Sequence, residues 1–128
     1  MYQSFVFLEI RVLILSKEKA FCSCKAGTST ERCPICMRTD GTSPVLKEEV
    51  VRDAYRLAQS LGCKLLTKAP YEYPSGMPVL PPDYTLCGAS VKIAENGSLD
   101  IEFYKHKKQI EILEIRIEED AGRLIHAD

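Results

Sequence analysis

Ser98-Leu99-Asp100-Ile101-Glu102-Phe103-Tyr104 and Gln109-Ile110-Glu111-Ile112-Leu113-Glu114-Ile115-Arg116-Ile117 are two β-rich runs separated by the basic stretch Lys105-His106-Lys107-Lys108. Apolar residues at a period of two set one face of each run toward a core and the other toward water. The pair reads as an antiparallel hairpin with a solvent-exposed tip. His106 falls at that tip, where a solvated side chain is expected rather than a ligand. The apolar phase slips between Ile112 and Leu113, which predicts a bulge or a strand buried on both faces.

The second run ends in Ile117-Glu118-Glu119-Asp120-Ala121-Gly122-Arg123. Adjacent carboxylates repel one another unless a cation gathers them, so the stretch reads either as a solvated acidic turn or as a site for a hard ion such as Mg²⁺. Upstream, Ala69 to Pro82 is proline-rich and carries Tyr71, Tyr73 and Met77, which excludes regular helix and central strand. It is expected to be a long loop, either packed over a site or a stiffened surface connection.

Between Leu46 and Leu61 the period becomes helical: Val50, Ala54, Leu57, Ala58 and Leu61 share a stripe. Glu48 and Glu49 suit the first turn, and Gly62 the position past the last. Nothing on this helix reads as catalytic. Near the N-terminus, Phe5 to Leu15 alternates again, with Leu8, Ile10, Val12 and Ile14 on one face and Glu9, Arg11 and Leu13 on the other. It is expected to be a first strand, from which Glu9 and Arg11 project together, as an ion pair of little energetic weight if exposed.

Two close thiol pairs, Cys22-Ser23-Cys24 and Cys33-Pro34-Ile35-Cys36, flank a short polar connection from Lys25 to Arg32. Zn²⁺ takes four thiolates at about 2.3 Å, and each pair can hold two sulfurs on one side of it. The alternatives are two reduced pairs or two disulfides. The N-terminus has no basic region, and Glu9 and Arg11 cut the apolar run, so no secretory signal is read. Reduced thiols and a cytoplasmic location are the expectation. Cys63 and Cys87 read as small buried apolar residues.

With 128 residues and 45% hydrophobic content, the chain can build an ordinary core, which a zinc loop would staple rather than replace. No apolar stretch approaches the ~20 residues of a membrane span. A net charge of −1 supplies no basic field, so autonomous nucleic-acid binding is not expected. The expected fold is α+β over 1–128: a mixed or antiparallel sheet built from the first strand and the C-terminal hairpin, one helix packed across it, and a zinc-bound loop at 21–37.

Phe7-Leu8-Glu9-Ile10-Arg11-Val12, the two cysteine pairs, Leu46-Lys47-Glu48-Glu49-Val50 with Leu61-Gly62-Cys63, Ile93-Ala94-Glu95-Asn96-Gly97 and Ile117-Glu118-Glu119-Asp120-Ala121-Gly122-Arg123-Leu124-Ile125-His126 occur in this order and at similar spacing in one family. The chain resembles the N-terminal part of the cradle domain of the B subunit of aspartyl/glutamyl-tRNA amidotransferase. The resemblance implies an ATP-dependent enzyme that phosphorylates the side-chain carboxylate of mischarged Glu-tRNA or Asp-tRNA, for amidation by ammonia from an amidase subunit. It implies structural zinc at Cys22, Cys24, Cys33 and Cys36, and Mg²⁺ at Glu9 and Glu119. Glu9, Glu119 and Lys68 are the expected catalytic residues, Tyr84 is expected to bind the nucleotide, and Arg11, a departure from the family, is read with it. The implied partners are the amidase (A) and small C subunits and, through the complex, tRNA, with no membrane.

Arg11 stands where the family has a metal-binding histidine. Arginine is a permanent cation and cannot ligate Mg²⁺. The loop around Lys68 to Gly88 departs from the family pattern, and the family's cradle continues beyond the counterpart of Asp128. Three readings follow: a truncated part of a working B subunit, a catalytically degenerate stand-alone zinc module, or a paralogous ATP-dependent ligase in which Arg11 and Cys87 belong to a rebuilt pocket.

Overall fold

The computed structural model describes residues 1–26, 31–37, 39–72 and 89–119. One helix, α1 (Glu48–Ser60), is followed by β1 (Lys64–Leu65), β2 (Ser90–Phe103) and β3 (His106–Glu118). The strands form an antiparallel sheet in the order β1-β2-β3. This is the expected α+β class.

Helix α1 ends as its sequence dictates. Gly62 sits at φ 64°, its N–H bonds to the carbonyl of Gln59 at 3.0 Å, and the next N–H, of Cys63, bonds to that of Ala58 at 2.9 Å. These two bonds cap the last carbonyls and need a left-handed residue between them, which glycine supplies at no steric cost. The helix buries Val50, Ala54 and Ala58, one residue per turn, against Val91, Ile93, Ala94 and Ile117 of the sheet. Leu57, expected in the same stripe, is exposed. The buried positions follow a strict i, i+4 row, and Leu57 lies off it.

The segment that follows α1 packs tightly on the sheet at Gly97. A Cβ there would lie 2.2 Å from Cys63 Sγ and 2.7 Å from the Leu61 carbonyl oxygen, and the adjacent Ser98 N–H donates to that same oxygen at 2.9 Å. Cys63 is buried, as expected, and burial raises its thiol pKa. Cys87 lies outside the described residues, as does most of the expected proline-rich loop.

The hairpin is longer than expected and turns earlier. Phe103 pairs with His106, so Tyr104 and Lys105 form the turn while Lys107 and Lys108 belong to β3. Pairing continues through Ile112, opposite Gly97, and Glu114, opposite Glu95, and the register shift falls between Lys92 and Ala94. The expected slip at Ile112 and Leu113 is therefore misplaced: pairing is in register there, Leu113 is exposed, and the bulge lies on the partner strand opposite Ile115 and Arg116. The extra residue at Ile93 inverts the alternation, so that Ile93 and Ala94 are both buried.

The expected first strand is not one in this structure. Residues 1–16 have no regular secondary structure, and Phe5, Phe7, Leu8, Ile10, Val12 and Leu13 are exposed. Alternation makes a segment competent for a sheet, but a strand exists only where its N–H and C=O groups meet a neighbour. Among the described residues β1, β2 and β3 pair with one another, and none pairs with this segment. The sheet is therefore built from the hairpin and the short β1 beside it.

Candidate metal centre

The cysteine loop is fastened to the core at its entry and its exit. Phe21, fully buried, is a member of the main core, and the ring of Tyr71 stands edge-on to it at 5.9 Å. Backbone bonds from Val45 N–H to the Phe21 carbonyl (2.9 Å) and from Lys47 N–H to that of Ala20 (3.0 Å) tie the loop to the start of α1. Within the loop, Glu18 pairs with Lys25, and Lys19 N–H bonds to the Cys24 carbonyl at 2.9 Å. This turns Cys22 and Cys24 inward. On the other side, Met37 N–H bonds to the Cys33 carbonyl at 3.0 Å, closing the tight turn that carries Cys33 and Cys36.

The sulfurs of Cys22, Cys24, Cys33 and Cys36 all lie within 4.8 Å of one another, and the four are free thiols. Cys36 Sγ is 3.7 Å from Cys33 Sγ, 3.7 Å from Cys24 Sγ and 3.1 Å from Cys22 Sγ. A tetrahedral ion with bonds near 2.3 Å spaces its sulfurs by about 3.8 Å, whereas a disulfide requires about 2.05 Å. Two of these separations match the tetrahedron and none matches a disulfide. The four cysteines can hold a metal ion, and their donor chemistry is that of a soft or borderline ion.

The four thiols sit in unequal electrostatic surroundings. Burial pushes the Cys22 thiol far above its ordinary range and the Cys24 thiol up to about 11. At Cys33 burial also raises the pKa, but hydrogen bonding from the Cys36 backbone and the neighbouring thiols outweighs it, leaving a pKa of about 7. Buried this closely, Cys22 and Cys24 favour the neutral thiol, and a cation among the four sulfurs would favour the thiolates instead. The ammonium of Lys19, 3.6 Å from Cys36 Sγ, adds a further positive charge that sequence reasoning missed.

The other expected site residues form no further cluster of three or more metal-binding side chains among the described residues. Glu9 and Arg11 do form the ion pair read from their spacing, Nε to Oε1 at 2.8 Å, with both side chains largely exposed. Glu119 follows β3, and both its carboxylate oxygens are buried. Lys68 is exposed. Tyr84 and Asp120 lie outside the described residues. Among the described residues, then, Glu9 and Glu119 do not join a cluster of metal-binding side chains.

A polar junction that sequence reasoning missed lies at the same end of the sheet as Glu119. Arg116 donates from Nε to Ser90 Oγ at 2.8 Å, from a terminal nitrogen to Glu114 at 3.3 Å, and from the other to Glu72. Glu72 and Ser90 exchange backbone hydrogen bonds of 2.8 Å in both directions. The one available signal was that an arginine between Ile115 and Ile117 in a half-buried strand must find acceptors.

Fold and centre together define an α+β domain with a tetracysteine loop, able to hold a metal ion, at one end. Residues 4–128 match the GatB/GatE catalytic domain, and the chain belongs to that family. It is 35% identical over 132 residues to the B subunit of the aspartyl/glutamyl-tRNA(Asn/Gln) amidotransferase of Geobacter sulfurreducens, covering 99% of this chain and 28% of the relative. The protein of the same name from Thermotoga sp. strain RQ2 is 36% identical over 135 residues, covering 98% of this chain and 27% of the relative. That from Chlorobium chlorochromatii is 34% identical over 134 residues, with 98% and 27% covered. The chain thus spans a little over a quarter of the length of these relatives. No helix among the described residues is long and apolar enough to cross a membrane.

Proposed function

We propose that this chain is the N-terminal part of a B-subunit catalytic domain and serves an ATP-dependent, tRNA-dependent amidotransferase. The observation that carries the reading is a family match running from residue 4 to 128, with all four cysteines of the loop gathered within 4.8 Å. In this reading zinc at Cys22, Cys24, Cys33 and Cys36 is structural. The amidase and small C subunits are the protein partners, mischarged Glu-tRNA or Asp-tRNA is the substrate, and the cytoplasm, which keeps thiols reduced, is the compartment.

When bound, Mg²⁺ would neutralise charge on the phosphate oxygens of ATP. Glu9 and Glu119 remain its proposed ligands, although in this structure the Glu9 carboxylate is held by Arg11. Arg11 opposes a divalent cation at Glu9 through its permanent charge. What the chain itself also offers to the chemistry is a guanidinium and the Lys68 ammonium for anionic phosphates, on a scaffold fixed by the metal loop.

The Glu9–Arg11 pair also favours a second reading, a catalytically degenerate zinc module that docks on the amidotransferase. Calorimetry with Mg-ATP on the zinc-loaded chain and on Arg11→His separates the two. The amidotransferase reading expects Mg-ATP binding heat from the wild type, or its appearance in Arg11→His if the arginine blocks the metal at Glu9. Absence of binding heat from both proteins would sink it and leave the docking module.

A further inference from the structure

We propose that the apex of the β2–β3 hairpin is an RNA contact, in which the rings of Phe103 and Tyr104 and the ammonium groups of Lys105 and Lys108 meet bases and phosphates. The proposal rests on the reading above that the chain serves a tRNA substrate. Every residue from Ser98 to Gln109 is exposed, so this end of the ribbon projects beyond the core. A net charge of −1 speaks against autonomous RNA binding by the chain as a whole, and the proposal revises that expectation locally: the stretch Phe103-Tyr104-Lys105-His106-Lys107-Lys108-Gln109 contains three lysines, a histidine and no acid. Cross-strand pairing sets Lys107 opposite Glu102 and Lys108 opposite Ile101, so the charges of Lys105 and Lys108 are the ones presented outward without a facing carboxylate in the ladder.

The rings are equally exposed. Phe103 and Tyr104 retain 71% and 82% of their accessible surface and touch each other edge to face, centroids 4.5 Å apart. Exposed aromatic rings beside cations are the combination that binds unpaired nucleotides, since every base has a face to stack and every linkage a charge to neutralise.

The turn supplies an independent argument. Tyr104 and Lys105 adopt φ 46° and 71°, the left-handed pair that a two-residue hairpin turn requires and that Asn-Gly satisfies with least strain. A bulky ring and a long cation are poor choices there on conformational grounds. A local rule broken at an exposed apex, with no packing gained from the core, marks a position retained for what it presents to a partner.

The test exploits that conflict. Tyr104→Asn combined with Lys105→Gly gives the turn its preferred residues while removing ring and charge, and Arg56→Ala removes a comparable exposed cation from α1. Fluorescence anisotropy with a labelled tRNA(Gln) transcript at low salt reads the zinc-loaded chain and both variants, and thermal melting is measured in parallel. The proposal expects at least a tenfold loss of affinity in the turn variant, a log–log salt dependence shallower by about one, an unchanged or higher melting temperature, and wild-type affinity for Arg56→Ala. Equal affinity of wild type and turn variant would overturn the proposal and leave the amidotransferase reading intact. A wild-type chain that binds no tRNA would also overturn it, and the Mg-ATP measurement then judges the amidotransferase reading separately.

Discussion

Lys47 Nζ donates to Ser23 Oγ at 2.6 Å, joining the residue that precedes α1 to the residue between two of the metal-binding cysteines. The same ammonium lies 3.0 Å from Glu18 Oε2, and the Lys47 N–H holds the Ala20 carbonyl. The cysteine loop and the helix are thus one mechanical unit. Anything that orders Cys22 and Cys24 also fixes where α1 begins, and through α1 the helical face that packs on the sheet.

Lys47→Met keeps the aliphatic stem and removes only the polar head. Because the lysine is partly exposed, the loss of stability is expected to be modest, about 0.5–1 kcal/mol. The larger effect is expected in the loop itself: metal should pass to a chelator several-fold faster than from the wild type. Stopped-flow transfer to a chromogenic chelator checks this, and equal transfer rates would show that the Ser23 contact does not restrain the loop.

Gly97→Ala is expected to be more damaging than a surface methyl group would suggest. The added carbon meets Cys63 Sγ at 2.2 Å and the Leu61 backbone oxygen at 2.7 Å, and neither belongs to a long side chain that could swing aside. Overpacking of this kind costs about 1–3 kcal/mol. Chemical denaturation should show it as a lower midpoint with an unchanged slope. Pairing it with Cys63→Ala, which relieves the sulfur clash but not the carbonyl clash, should recover part of the loss.

Arg116→Met removes a donor set shared by Ser90, Glu114 and Glu72. Burial of the guanidinium opposes its charge, yet the two carboxylates outweigh that and raise its pKa, so the junction is net favourable to the cation. Losing hydrogen bonds to charged partners at a half-buried site is expected to cost about 1–3 kcal/mol. Hydrogen exchange should report faster opening at Glu72 and Ser90, whose paired amides flank the junction. Amides in α1 should keep their protection.

How much of this was legible in sequence depended on whether the information was local. The helix, its Gly62 stop, the hairpin and the cysteine pairs all rest on residues within a few positions of one another, and each is present. The Glu9–Arg11 pair was likewise local. The turn at Tyr104–Lys105 was displaced because strand pairing carried past residues that propensity assigned to a loop. The first strand was not found because alternation gives a segment a face but no neighbour, and the described residues provide none. Arg116 and Lys19 escaped because their partners are distant in sequence: Glu72 lies 44 residues from Arg116, and Cys36 lies 17 from Lys19. The bulge at Ile93 was not legible, because the apolar phase slip that suggested one lies at Ile112 and Leu113, away from the residues that face it.

Metal analysis of the purified chain, joined to its intact mass under native and denaturing conditions, tests the centre most directly. The account predicts one equivalent of zinc per chain, loss of that zinc and unfolding of the 21–37 loop when Cys22 or Cys36 is replaced by serine, and a denatured mass with all thiols reduced. A chain that purifies without metal and with its mass lowered by two disulfides, or a Cys22→Ser/Cys36→Ser variant that keeps a full equivalent of zinc, would contradict it.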